Sequence, residues 1–289
     1  MEALTRKAGV ADASERLLAD ISNGALKELV DKMATAGLAP KSIVSHASVV
    51  KMVLASAVNS DGDQLYPRTW NPEFVGLPIV WKEEQERQTI TETELAEEIL
   101  ANAKGRYYVL FALLAGSGLR IGEALAVKDT SFSPDCRIVY VRSSIWGGKE
   151  QTPKTPSAVR EIDIPEPLAA LLREYVAGKS GYLFTTASGR PLSQRNVLRA
   201  LHATGKKVGF HAFRRFKTET LRRAAVPQDL ERFWLGHASV TVTDWYARGL
   251  TLDRTWRREW CECAGLGFPM GYVGLQNAVT LTAAHAHAA

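Results

Sequence analysis

Cysteine is scarce: the 289 residues contain three, Cys136, Cys261 and Cys263. So few cannot build the disulfide framework of a small secreted domain, and Cys261-x-Cys263 has no further Cys or His at ligand spacing to make a zinc site. Long apolar runs are missing as well. The longest, Tyr107 to Ala115, is about half of the ~20 residues a membrane span requires, and Met1 to Lys7 has no apolar signal core. The expectation is a cytoplasmic protein with no membrane partner. Nor is there a GxxxxGK[ST] phosphate loop, a nucleotide-binding glycine fingerprint or an acidic cluster at metal spacing, so no cofactor and no metal are expected.

What is present is a folded, basic chain. Hydrophobic residues make up 46% and charged residues 23%, the balance of a soluble globular protein, and the length suits two domains. The net charge of +5 is unevenly placed. Arg195 to Trp260 carries fourteen Lys and Arg against six Asp and Glu, which leaves the remainder net negative. So concentrated a positive segment points to a polyanion, most commonly nucleic acid.

Apolar residues recur at helical spacing through Leu26, Leu29, Val30 and Met33, and again through Ile43, Val44, Val49, Val50, Val53 and Leu54, with a turn at Gly37 and Pro40. This predicts a helical module over 1–80, its last helix ending before Trp70, Asn71 and Pro72. The charged run Trp81 to Arg87 begins a linker over 81–90. Thr91 and Glu94 form a capping box that opens a helix to about Ala103. Tyr107 to Ala115 reads as a buried helix stopped by Gly116-Ser117-Gly118, and another helix starts near Ile121. Arg137 to Ile145 and Ala158 to Ile164, rich in β-branched residues, read as one hairpin with a long Gly, Lys and Pro-rich turn. Helices resume at Pro167. Pro227 is expected to open a helix to Leu235 with Gly236 as its stop, and Ser239 to cap the next, which holds Tyr246. No Asp, Glu, Lys or Arg follows Glu262, so the Ala and Gly-rich tail is expected to be loose or to dock. The fold class is mainly α: a helical N-terminal module, then a mixed α+β domain with a small antiparallel sheet.

Three segments stand out together: Ser117-Gly118-Leu119-Arg120-Ile121-Gly122-Glu123, His211-Ala212-Phe213-Arg214, and Leu235-Gly236-His237 followed nine residues on by Tyr246. In this order and spacing they resemble the catalytic boxes of the tyrosine recombinases, the family of phage integrases. The resemblance covers 91–262 as a catalytic domain and extends more loosely over 1–80, which looks like that family's core-site DNA-binding domain. It implies that Arg120, His211, Arg214, His237 and Tyr246 are catalytic, with Tyr246 the nucleophile. It also implies that Lys154 in Pro153-Lys154-Thr155 is the catalytic lysine; Lys149 lies in the same loop, so the choice between the two stays open. Glu123 matches a supporting position. Further implications are double-stranded DNA as substrate, a homotetramer on synapsed sites with 263–289 docked on a neighbouring subunit, and accessory DNA-bending or directionality factors. Arg215 departs from the family, which often has a second histidine there. His46, His202, His285 and His287 match nothing.

The chemistry asks for these residue types. Attack on a phosphodiester concentrates negative charge on the non-bridging oxygens, for which planar, permanently charged guanidinium is the best donor; Arg120 and Arg214 suit that role, with His237 as a third donor. A phenol with a pKa of ~10 needs a base or a cationic pocket, and His211 is the candidate base. The departing 5′ oxygen needs a proton, which Lys154 can supply. Two other functions remain open: a type IB topoisomerase-like enzyme with the same boxes, and a DNA-binding accessory protein that has lost catalysis.

Overall fold

The computed structural model describes residues 18–81, 87–153, 155–237 and 248–270. Lys154, Ser239 and Tyr246 lie outside them. The chain divides into two compact units, Met1–Glu86 and Arg87–Ala289.

In the first unit, α1 (Asn23–Thr35) opens at Ser22, whose hydroxyl accepts from Ala25 N at 3.3 Å, and α2 (Pro40–Ser56) opens with proline in its first turn. Leu26, Val30 and Met33 of α1 pack with Ile43 and Ala47 of α2. The anticipated stripe on α2 is narrower than its sequence suggests, since Val53 is exposed. Past α2 the chain makes an irregular excursion closed by a Val58–Gln64 bridge. Trp70-Asn71-Pro72, expected as plain turn, opens a third short helix. Asn71 accepts from Phe74 N, and α3 (Pro72–Val75) adds Val75 to the core.

The second unit begins with the expected capping box: Thr91 N donates to Glu94 and Glu94 N to Thr91, at 2.8 and 3.2 Å. The helix it opens is wound as a π-helix over its central turn, α4 (Glu94–Leu100), burying Leu95, Ile99 and Leu100. α5 (Arg106–Ser117) is buried at every residue from Tyr108 onward, as befits a helix that is apolar all round. It runs through Gly116 and stops at Gly118, which takes the left-handed conformation at φ +69°. Gly116 is needed for packing: a Cβ there would lie 2.5 Å from Leu168 of α7 (Glu166–Val176). On another side, α9 (His211–Arg223) stacks Phe213 on Phe111 at 5.8 Å.

The expected single hairpin is two. β1 (Ile138–Val141) pairs antiparallel with β4 (Arg160–Asp163), but β2 (Ser144–Trp146) leaves that sheet and pairs with β3 (Lys149–Gln151). β3 was hidden in the sequence because Lys149, Glu150 and Gln151 are all exposed and carry no apolar alternation.

After α8 (Gln194–His202) and α9 comes α10 (Gln228–Leu235), for which Pro227 is the N-cap rather than the first helical residue; Gly236 closes it at φ +65°. α11 (Arg248–Leu252) and α12 (Arg254–Ala264) complete the described elements. Arg257 of α12 is fully buried, donating to Asp163 at 2.8 Å, to Glu161 at 2.6 Å and to the Thr251 carbonyl at 2.9 Å. Trp234 Nε1 donates to the same Asp163 oxygen at 2.8 Å, so β4, α10 and α12 meet at one carboxylate. Leu266 and Phe268 are then buried on the unit's own surface, with the Phe268 ring 6.0 Å from Phe216. Residues 266 and 268, at the start of the tail, thus pack on the second unit. Among the described residues no helix is long and apolar enough to cross a membrane.

Candidate active site

The left-handed turn at Gly118 sends the chain into an extended Leu119-Arg120, and Arg120 becomes the N-cap of α6 (Ile121–Leu125). Glu123, one turn on, does two things at once. Its carboxylate accepts from the Arg120 backbone N and from Arg120 Nη1, both at 2.9 Å. It also receives a fork from Arg160 of β4, Nη1 at 3.1 Å and Nη2 at 2.9 Å. Arg160 is itself buried and donates further to the carbonyls of Trp234 at 2.7 Å and Ala158 at 3.0 Å. Burial alone would raise the Glu123 carboxyl, but the bonds and charge of Arg160, joined by Arg120, outweigh it and hold the group below the ordinary carboxylate range. The outcome is one anchored guanidinium and one presented: the Arg160 side chain is 1% exposed and that of Arg120 is 41%.

α9 supplies the next pair. His211 is its first residue and lies exposed, while Arg214, one turn later, is buried. Arg214 Nη1 donates to the Gly118 carbonyl at 2.9 Å, and Nη2 donates to the Leu235 carbonyl and sits 3.0 Å from His237 Nε2. Because guanidinium can only donate, Nε2 of His237 is the acceptor, which leaves the neutral ring's proton on Nδ1. Gly236 makes this meeting possible. Its left-handed turn brings His237 alongside Arg214, and a Cβ there would come within 2.9 Å of the Arg160 guanidinium.

The charges are mutually felt. Burial, then the charges of Arg120 and Arg160, pushes Arg214 down to about 10, still cationic at neutral pH. His211 lies below its ordinary value through partial burial and the charges of Arg214, Arg215 and Arg120. His237 does so through partial burial and the charges of Arg214 and Arg120. Guanidiniums outnumber the carboxylates, Glu123 and the more weakly felt Glu231, and both rings are pushed toward the neutral form. Such a place has a standing deficit of negative charge, suited to a phosphate.

The structure therefore brings together Arg120, Glu123, His211, Arg214 and His237. Lys154 and Tyr246 fall outside the described residues. Lys149 begins β3 and is exposed at the hairpin turn. Arg215, the departure from the family pattern, turns aside to donate to the Gln88 carbonyl at 2.5 Å.

Two residues here escaped the sequence. Arg160 looked like an ordinary strand arginine, although it shares a face with Ile162 at the two-residue period of a strand and so had a signal for burial. Lys217, one turn past Arg214, is also buried. Its stem packs beneath Gly118, its amine donates to the Gly265 carbonyl at 3.3 Å, and burial lowers its pKa.

Known proteins are similar to this chain in sequence and in fold. A tyrosine recombinase XerC-like protein of Caldanaerobacter subterraneus is 28% identical over 197 residues, covering 56% of this chain and 50% of its own. The tyrosine recombinase XerA of Pyrococcus furiosus is 30% identical over 174 residues, covering 56% and 57%. The chain thus spans about half the length of these curated relatives. Among solved structures, the Tn1549 transposon integrase in complex with transposon right end DNA superposes with a TM-score of 0.60 at 18% identity, covering 86% of this chain and 90% of that one. A lambda integrase dimer bound to a core site gives 0.51 at 18%, covering 87% of each. Both likenesses show the shared fold. The model of the phage integrase family matches residues 88–251, more than half of the sequence. The match takes in all three boxes, and the chain belongs to the phage integrase family.

Proposed function

We propose that the chain is a site-specific DNA recombinase that cleaves and rejoins strands through a covalent 3′-phosphotyrosine at Tyr246, with neither metal nor ATP. The observation that carries the reading is the convergence of Arg120 and Arg214 beside two neutral histidines, with one of the guanidiniums exposed. A phosphodiester entering there takes donors from both arginines on its non-bridging oxygens. His211 accepts the phenol proton as the Tyr246 oxygen attacks phosphorus. The P–O5′ bond breaks, and the 5′ oxygen leaves with a proton from Lys154, or from Lys149 if that residue is the acid. A tyrosyl ester keeps the energy of the broken linkage, so a 5′ hydroxyl from another strand attacks it and the phenol leaves, recovering its proton. His237 presents Nδ1–H, or turns to present Nε2–H, once a phosphate competes for Arg214.

In this reading residues 1–80 grip the core site, 81–90 are the linker, and 91–262 perform the chemistry. The working form is a homotetramer on two synapsed duplexes in the cytoplasm, aided by accessory DNA-bending or directionality factors. Residues 263–289 dock on a neighbouring subunit of that assembly.

Nicked duplexes built on a sequence that the wild-type chain selects from a random pool provide the test. A protein–DNA band that survives denaturing electrophoresis and vanishes in Tyr246→Phe supports the proposal. Supercoil relaxation without recombinant joints favours a topoisomerase-like enzyme, and binding without any covalent band refutes catalysis.

A further inference from the structure

The β2–β3 hairpin is separate from the β1–β4 sheet, and its two faces differ sharply. Ser144 pairs with Gln151, Ile145 with Glu150 and Trp146 with Lys149. The turn is Gly147-Gly148, both at positive φ, +57° and +77°, as the tight two-residue hairpin demands.

One face is pinned. Ile145 is buried, and its carbonyl would stand 2.9 Å from a Cβ on Gly122, two residues from Arg120. Gln194 donates to that carbonyl at 3.3 Å. Across the strand, Glu150 accepts from Lys128 at 3.1 Å and from the Tyr182 hydroxyl at 2.5 Å. The Lys128 amine lies 4.7 Å from the Tyr182 ring centre. Glu150 is thereby held down to about 2, first by the Tyr182 bond, so the clasp stays charged across the physiological range.

The other face is bare. Trp146 is 67% exposed, and among the described residues of this unit no large apolar side chain is more so. Its cross-strand partner Lys149 is exposed too, and nothing lies within 4 Å of a Cβ built on either turn glycine. Arg142, just before β2, is a further exposed cation.

Resting on the reading of the site as one that takes DNA, we infer that the hairpin tip is a DNA contact in which Trp146 stacks on a deoxyribose or an unstacked base near the cleaved phosphate, with Lys149 on the neighbouring backbone. Three observations select DNA as the occupant. The hairpin root packs on α6, the helix that Arg120 caps. The residue paired with the indole, Lys149, is positive, while Glu150, on the other face, is ion-paired with Lys128. The clasp holds the hairpin before binding, so little freedom is lost when the ring makes contact. A rigidly mounted indole with a cation beside it is the combination with which proteins engage bases without reading sequence.

The test uses the full chain and its W146A, W146F and K149A variants on a 40-bp duplex selected by the wild type from a random pool, read by fluorescence anisotropy across a KCl series. W146A is expected to raise Kd about tenfold and W146F by less than about threefold, because an aromatic face suffices. W146A should leave the slope of log Kd against log salt unchanged, whereas K149A should reduce it by about one. W146A binding as tightly as wild type overturns the inference while leaving the function intact. So does a W146A defect confined to melting temperature or to protomer association. A wild-type chain that selects no duplex overturns both.

Discussion

Glu123 holds two arginines, and removing it tests how the site is built. In Glu123→Ala the Arg160 guanidinium keeps its bonds to the Trp234 and Ala158 carbonyls but loses both carboxylate bonds in a place where its side chain is 1% exposed. Leaving one partner of a buried pair uncompensated costs about 3–5 kcal/mol. For a domain of this size each kcal/mol moves the melting temperature by roughly 2–4 °C, so a fall of about 10 °C is expected. Deleting the partner as well, in Glu123→Ala/Arg160→Met, removes the stranded charge and should recover most of the loss, because replacing a whole buried pair with apolar groups is often neutral. Cleavage should not recover. Arg120 has lost the carboxylate that aims it, and a misdirected donor to a developing oxyanion costs about 100-fold or more. Melting followed by circular dichroism and the covalent-band assay on one selected duplex separate the two effects. A further check comes from acid. The Glu123 carboxyl sits below its unfolded value, so its stabilisation is complete above the ordinary glutamate pKa and fades as pH falls through the lower folded one. The gap between wild type and Glu123→Gln should narrow accordingly. A Glu123→Ala chain melting within about 3 °C of wild type, or a double variant no more stable than the single, refutes the account.

Arg214→Lys retains charge but cannot reproduce donation to the Gly118 and Leu235 carbonyls together with a phosphate, so single-turnover cleavage should drop by about 100-fold or more while DNA affinity changes less than about threefold. For His211, whose pKa is lowered, the base is the neutral ring. The cleavage rate should be flat near neutrality and decline as pH falls below the ordinary histidine value, an arm missing from His211→Gln in single-turnover profiles.

Much of this was legible in the chain of residues, for reasons that differ by element. The Thr91–Glu94 box and the glycines at 118 and 236 are local devices whose geometry follows from their own chemistry, and each sits where expected. α5 was readable because a run that is apolar on every side can only be interior. The division of the hairpin was not: Lys149-Glu150-Gln151 owes its strand to Gly147-Gly148 and to the Lys128 and Tyr182 clasp, which lie apart in sequence. Arg120, His211, Arg214 and His237 stood out as a set. Arg160 did not, because its importance comes from a carboxylate 37 residues away. The direction of the proton between Arg214 and His237 likewise needed the turn at Gly236.

The double duty of Arg214 constrains how copies of such a gene decay. Its guanidinium fastens the ends of α5 and α10 through the Gly118 and Leu235 carbonyls, so a lineage drifting toward a silent DNA binder cannot discard it without loosening its own scaffold. Arg120 protrudes, and among the described residues its side chain bonds only Glu123, which Arg160 continues to satisfy. Relics of this gene should therefore lose Arg120 first, and an intact Arg214 in such a relic is no sign that it still cuts.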